Sequence, residues 1–175
     1  MDLINHIDEK DIKIVKIDTS DIIFSNEIRE YCKENKCGKY DKNYMCPPSI
    51  GDVSKYKILF KSYTEGIALL LKDNISNHSI NKVYKSQIKL HNIILKLENK
   101  AKKSGYERAK GFIAGECQLC VPCKKTLNEK CLYPNKSRTS LEAIGVNVIS
   151  SLENKGIKID FSSNNITWVG YLLLK

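Results

Sequence analysis

Seven cysteines fall into two groups along this 175-residue chain. Cys117, Cys120 and Cys123 lie in the run G-E-C-Q-L-C-V-P-C, and Cys131 follows after seven intervening residues. Two residues between successive cysteines let a tight loop aim three sulfurs at one point, and a later fourth closes the cage. Four-iron clusters are ligated in this way. Structural zinc sites more often pair two separate C-x2-C knuckles, or one knuckle with two histidines, so zinc is the second reading. The plain alternative is a set of buried thiols or disulfides. Glu116, Gln118, Lys124 and Lys125 among these cysteines argue against it, because they do not form an apolar run.

Cys32, Cys37 and Cys46 form the second group, in C-K-E-N-K-C-G-K-Y-D-K-N-Y-M-C-P-P. A four-iron cube takes four outer ligands, so two cubes on seven thiolates leave one iron for water, substrate or a non-cysteine side chain. Such an iron acts as a Lewis acid as well as an electron carrier. In two-cluster ferredoxins the fourth cysteine of a run ligates the other cluster. By that crossing Cys131 would complete the site of Cys32, Cys37 and Cys46 and leave the site of Cys117, Cys120 and Cys123 open. The longer loop before Cys131 favours the local assignment, with Cys32, Cys37 and Cys46 on the open cube.

The paired motifs, C-x4-C with a downstream Y-x-C-P-P and then G-x-C-x2-C-x2-C-x7-C-x2-P-x3-R-x-S-x-E-A-x-G, resemble a family of predicted metal-binding proteins catalogued as domain of unknown function 2284. The resemblance runs from about Cys32 to about Val148. It implies metal binding, iron–sulfur above all, in a cytoplasmic protein, and carries no established reaction. The matching positions are Cys32, Cys37, Cys46, Pro47 and Pro48, then Cys117, Cys120, Cys123, Cys131, Pro134, Arg138, Ser140, Glu142 and Ala143. Met45 stands where the resemblance would place a larger aromatic residue.

The length suits a single domain over residues 1–175, with the cysteine groups at 32–46 and 117–131. The first residues show neither the basic start nor the apolar stretch of a signal peptide, and no apolar run approaches the ~20 residues that span a bilayer. A reducing, cytoplasmic compartment is expected, where clustered cysteines read as metal ligands rather than disulfides. The formal charge of +9 raises the question of nucleic acid. Of 29 basic residues only Arg29, Arg108 and Arg138 are arginines, whereas base readout favours the bidentate guanidinium. No nucleic acid is expected as a partner. A lysine-rich surface can steer an acidic redox partner, an effect that salt weakens.

Positioning these ligands requires a scaffold. Alternating Ile and Val over 12–17 predicts a strand. Residues 26–33 predict a helix delivering Cys32 near its end, and 38–49 a ligand loop closed by Pro47 and Pro48. A helix is expected over 53–60 and an apolar strand over 66–72. Over 80–103, Ile80, Val83, Tyr84, Ile88, His91, Ile94 and Leu95 recur at helical spacing. Residues 109–114 predict a strand feeding Cys117. A helix should open at Thr139-Ser140-Leu141-Glu142 and bury Leu141, Ile144, Val148 and Leu152, and 157–161 with 166–174 should form a hairpin. The expected fold class is α+β, a sandwich of a mixed or antiparallel sheet with helices and cysteine-rich metal-binding loops.

Candidates for chemistry beyond ligation lie near the cysteines. Arg138 could bind a substrate carboxylate or phosphate or donate to cluster sulfur, or form an ion pair at a helix start. Tyr40 and Tyr44 lie between Cys37 and Cys46, where a phenol can protonate a ligand at an open iron. Glu142 with Thr139 fits a capping box. His6, His78 and His91 lie far from the cysteines in sequence, and no nucleotide-binding or hydrolase motif is present. The favoured reading is an iron–sulfur protein with one or two 4Fe-4S clusters and a redox or electron-transfer role, acting on a redox partner or a small-molecule substrate. The alternatives are an enzyme using a three-cysteine cube as Lewis acid or sulfur acceptor, and a zinc-stabilised interaction protein.

Overall fold

A computed structural model describes residues 12–76, 80–159 and 164–175. Its frame is one antiparallel sheet in the order β1-β2-β4-β3, formed by β1 (Ile12–Lys16), β2 (Glu65–Asn74), β3 (Lys110–Phe112) and β4 (Asn165–Leu174). Among the described residues four α-helices accompany the sheet: α1 (Asn26–Lys33), α2 (Val53–Lys61), α3 (Ile80–Lys103) and α4 (Val148–Glu153). The α+β fold class expected from the sequence is the one observed.

The continuous apolar run of β2 reflects burial on both faces, since strand side chains alternate sides. Ile67, Leu69 and Leu71 pack with Leu172 and Leu174 against Leu90, Ile94 and Leu97 of α3. Ala68 and Leu70 turn the other way, with Val169, Tyr171 and Leu173, onto Phe60 of α2, Phe112 and the chain around Ile144. Phe60 stacks on Tyr171 at 5.9 Å and lies 5.2 Å from Phe112. Gly111 and Gly170 let α3 approach the sheet, because a Cβ at either would meet Ile94. The helix buries Gln87, Leu90, His91, Ile94, Leu97, Glu98 and Ala101, whereas Ile88 and Leu95 are only half-buried. Its buried face is thus rotated from the one the apolar spacing suggests, and it carries polar groups that meet specific partners below.

Two expected elements differ. The helix predicted to open at Thr139 is instead a single 3-10 turn, Glu142–Ile144, and the shorter α4. Gly145 separates them at φ +85°, a conformation that ends a helix. Val148 is half-buried rather than buried. The C-terminal hairpin is also absent from the described residues: 157–159 form no strand, and the rest of that segment, 160–163, lies outside them. β4 pairs instead with β2 from Glu65↔Leu174 to Asn74↔Asn165, and with β3 from Lys110↔Leu173 to Phe112↔Tyr171. No helix among the described residues is long and apolar enough to cross a membrane.

Candidate metal centre

Ser25 caps α1, its side chain accepting from the Glu27 amide at 3.1 Å. The helix is held at its far side by Arg29, whose guanidinium donates to the Ala143 carbonyl and, at 2.6 Å, to the Gly51 carbonyl. Cys32 therefore leaves a fixed last turn. The chain then reverses through Asn35 at φ +53° and Gly38 at φ +71°, and the Asn35 side chain accepts from the Tyr40 amide at 3.0 Å. The loop closes where the Asp41 amide donates to the Pro47 carbonyl at 2.8 Å and the Cys46 amide to the Asn43 carbonyl at 3.1 Å. Cys37 is exposed, Cys32 half-buried and Cys46 buried.

The other group begins where β3 ends. The Ile113 amide donates to the Thr139 carbonyl at 3.0 Å, and the Leu141 amide to the Ile113 carbonyl at 3.2 Å, which brings the chain after Cys131 back beside the chain before Cys117. Gln87, reaching from α3, donates to the Ala114 carbonyl at 2.9 Å and the Glu116 carbonyl at 2.8 Å, fixing the entry to the loop. Cys117, Cys120, Cys123 and Cys131 are all half-buried, and the Cys131 thiol lies 4.0 Å from the Ser137 hydroxyl.

The fold brings the two groups together. Asn43, between Cys37 and Cys46, donates from Nδ2 to the Cys117 carbonyl at 3.0 Å. The Tyr44 hydroxyl donates to the Glu129 carbonyl at 2.7 Å, and Thr139 to the Met45 carbonyl at 3.0 Å. Lys125 reaches Asp41 at 2.6 Å and also the Ser49 hydroxyl, and Lys39 lies 3.7 Å from Glu116.

Electrostatics reflect the same proximity. Burial pushes the Cys46 thiol up to about 12, with Cys37, Glu116, Cys32 and Cys117 adding to the effect. Cys32 is also raised by burial, with Arg29 opposing and Cys37 and Glu142 reinforcing. Cys117 is raised by burial and by Cys120 and Cys131, while the backbone N–H groups of Leu119 and Arg138 face its sulfur and pull the other way. Soft thiolates suit iron–sulfur clusters and zinc alike. Among the described residues no three His, Cys, Asp or Glu side chains converge closely enough to hold a single ion. A four-iron cube spreads its ligands over separate irons.

Arg138 is placed by its side chain rather than left open. Its guanidinium forks onto Glu98 of α3 and donates to the Asn135 and Ser137 carbonyls. Tyr40 lines a cavity of 470 Å³ that also touches Cys32, Cys46, Glu116, Glu142 and Trp168. Glu142 is not a capping-box partner: the Thr139 hydroxyl goes to Met45, and Ser140 accepts from the Ala143 amide at 3.2 Å. Burial raises the Glu142 carboxyl, opposed by its own amide and the Ser140 hydroxyl. Its Oε2 is shielded and has no hydrogen-bond partner among the described residues. Asn43, Glu98 and Arg29 position the loops, yet sequence reasoning gave them no role. The only signal was that Arg29 is one of three arginines. His91 is buried and donates to the Lys136 carbonyl at 3.0 Å, while His6 and His78 lie outside the described residues.

A family model described as Predicted metal-binding protein (DUF2284) matches residues 15–174, a span that takes in both cysteine groups and the whole sheet beyond the first residues of β1. This chain belongs to the DUF2284 family. No curated protein and no solved structure matches it. For this DUF2284 protein the family description states metal binding, and the paired cysteine loops are the part of the fold with donors suited to it.

Proposed function

We propose that this DUF2284 protein is an iron–sulfur protein with a redox or electron-transfer role. Cys117, Cys120, Cys123 and Cys131 would hold one 4Fe-4S cluster, and Cys32, Cys37 and Cys46 a second with one iron free of cysteine. The observation that carries this reading is the junction of the two cysteine-bearing loops through Asn43, Tyr44, Thr139 and Lys125. Adjacent clusters would supply one-electron transfer between neighbouring centres. The N–H groups facing the Cys117 sulfur stabilise negative charge there and would raise a cluster's potential. The high thiol pKa of Cys46 means that its thiolate needs a compensating positive charge, which an iron core provides.

The test is iron, acid-labile sulfide and zinc per chain on protein purified without oxygen, with an absorption spectrum of the same sample. About eight irons with about eight sulfides are expected. Zinc without sulfide would replace the redox reading with a zinc-stabilised one. In Cys120→Ser about four irons should be lost, and full retention would remove the four-cysteine assignment. A second reading, an enzyme using the open iron as a Lewis acid, is favoured by the cavity that Cys32 and Cys46 border.

A further inference from the structure

The 470 Å³ cavity lies between α1, the first cysteine loop, the chain after β3 and the start of β4. Its volume falls in the range of small-molecule sites. Its wall is largely aliphatic, including Ile28, Val146, Val148 and Val169. Its charged residues share one sign, beside neutral polar groups such as Ser140, Asn147 and Thr167. In a chain with 29 basic residues, no described residue lining this cavity is Lys, Arg or His, and two are glutamates. Glu116 has Lys39 at 3.7 Å and the Gln118 amide at 2.6 Å. Glu142 has no cationic partner among the described residues, and its Oε2 is without a hydrogen bond. Tyr40 and Trp168 add aromatic rings, whose faces attract ammonium groups.

A second cleft of 850 Å³ has the opposite character. It is lined by Lys55, Lys102, Arg108, Lys110 and Arg138, with Glu98 and Glu107. The fold therefore segregates charge, and it is the smaller, apolar cavity that excludes cations of the protein's own.

We propose that the cavity beside Cys32 and Cys46 binds a small, mostly apolar molecule carrying one protonated amine. The apolar body fills the aliphatic wall, and the ammonium supplies the positive charge that Glu142 lacks. Opposite charges attract more strongly beside an apolar wall than in bulk water. That the bound molecule faces a cluster rests on the iron–sulfur reading above; the sign of the cavity does not.

The experiment is calorimetric titration of the full chain, purified without oxygen, with phenethylammonium, 2-phenylethanol and 3-phenylpropionate, which share an apolar body and differ in charge. Iron and sulfide are measured on the same sample. The amine should bind about tenfold or more tighter than the alcohol, with the carboxylate weakest. Glu142→Gln should lose that advantage while the alcohol binds as before. The proposal is overturned if the carboxylate binds as well as the amine, if the amine gives no binding, or if Glu142→Gln binds the amine undiminished. If the variant fails to fold, the order of the three probes on the unmodified chain still decides. Amine preference without iron keeps the cavity and removes the clusters; iron and sulfide without amine preference does the reverse.

Discussion

Arg138 and Glu98 form a two-point ion pair, with Nε and Nη2 of the guanidinium each 2.8 Å from a carboxylate oxygen. Glu98 is 4% exposed and also accepts from the Gly111 amide at 2.8 Å and from Lys102 at 2.7 Å. The pair joins α3 to the segment after Cys131, and the backbone amide of the same Arg138 faces the Cys117 sulfur. Arg138 thus acts on the cysteine loop by position. Arg138→Ala removes both arms of the fork and leaves Glu98 with Lys102 as its cationic partner and the Gly111 amide, so it should cost about 1–3 kcal/mol in urea unfolding. Arg138→Lys keeps the charge but not the fork, and should lose less stability; if the proposed cluster is bound, its potential should fall as the Arg138 amide shifts from the Cys117 sulfur. Wild-type midpoints and potential in both variants would leave the pair without this role.

The same pair predicts an acid limb of stability. Burial alone would raise the Glu98 carboxyl, but hydrogen bonds from Arg138 and Lys102 outweigh it and hold it below its ordinary value of 4.5. Its contribution is complete above 4.5 and is lost as pH falls through the lower folded value. Metal-free protein unfolded by urea between pH 6 and pH 3 should show a steeper decline than its Glu98→Gln counterpart. Parallel curves would refute the linkage.

Gly145 stands at φ +85°, and a Cβ there would lie 2.8 Å from Val53 Cγ2 and 3.1 Å from the Ser25 carbonyl. Its own carbonyl accepts from the Ser25 amide at 2.7 Å, so it locks the α1 entry against the Glu142 turn. Gly145→Ala should destabilise by about 1–3 kcal/mol through crowding, beyond the backbone strain. Gly156→Ala is the control, with φ +71° but open space around the Cβ. It should show the strain alone, and equal losses in the two variants would exclude crowding at Gly145.

Gly145 also marks where sequence reasoning reached its limit. α1 and α3 lie where the sequence places helices, over about 26–33 and about 80–103, the second because apolar residues recur through it at helical spacing. The pattern Thr139-x-x-Glu142 is locally indistinguishable from a capping box, yet the Thr139 hydroxyl goes to Met45, 94 residues away. A tertiary contact of that separation leaves no local signal, and neither does the placement of Glu142 on the cavity wall. The same holds at β4, whose expected hairpin partner was its sequence neighbour but whose observed partners are β2 and β3. Cysteine spacing announced two ligand groups. Asn43, which joins them, looks in the sequence like any loop asparagine.

Asn43 is 4% exposed, accepts from the Met45 amide at 2.9 Å and donates to the Cys117 carbonyl. Asn43→Leu strands both backbone groups and should cost about 1–3 kcal/mol. Because the bond joins the two cysteine loops, loss of bound metal to a chelator should also accelerate. Tyr44→Phe removes only an exposed bond to the Glu129 carbonyl, and its stability should stay within about 0.5 kcal/mol of wild type. Similar chelation rates in Asn43→Leu and wild type would show that the junction does not hold the metal.

Cys37 and Cys46 share one loop but not one environment: the first is exposed and the second 8% exposed. Alkylation requires the thiolate. With its pKa near 12, Cys46 in metal-free protein holds only about one thiolate in ten thousand at pH 8. Iodoacetamide followed by peptide mass mapping should therefore modify Cys37 first and Cys46 last. Raising the pH to 10 should speed Cys46 about a hundredfold, since its thiolate fraction rises tenfold per pH unit below the pKa. In metal-loaded protein both should be protected, Cys37 included, and that protection is the informative part. Burial already explains a slow Cys46, but an exposed thiol becomes slow only when its sulfur is bound. A Cys37 that reacts equally fast with and without metal would remove it from the ligand set.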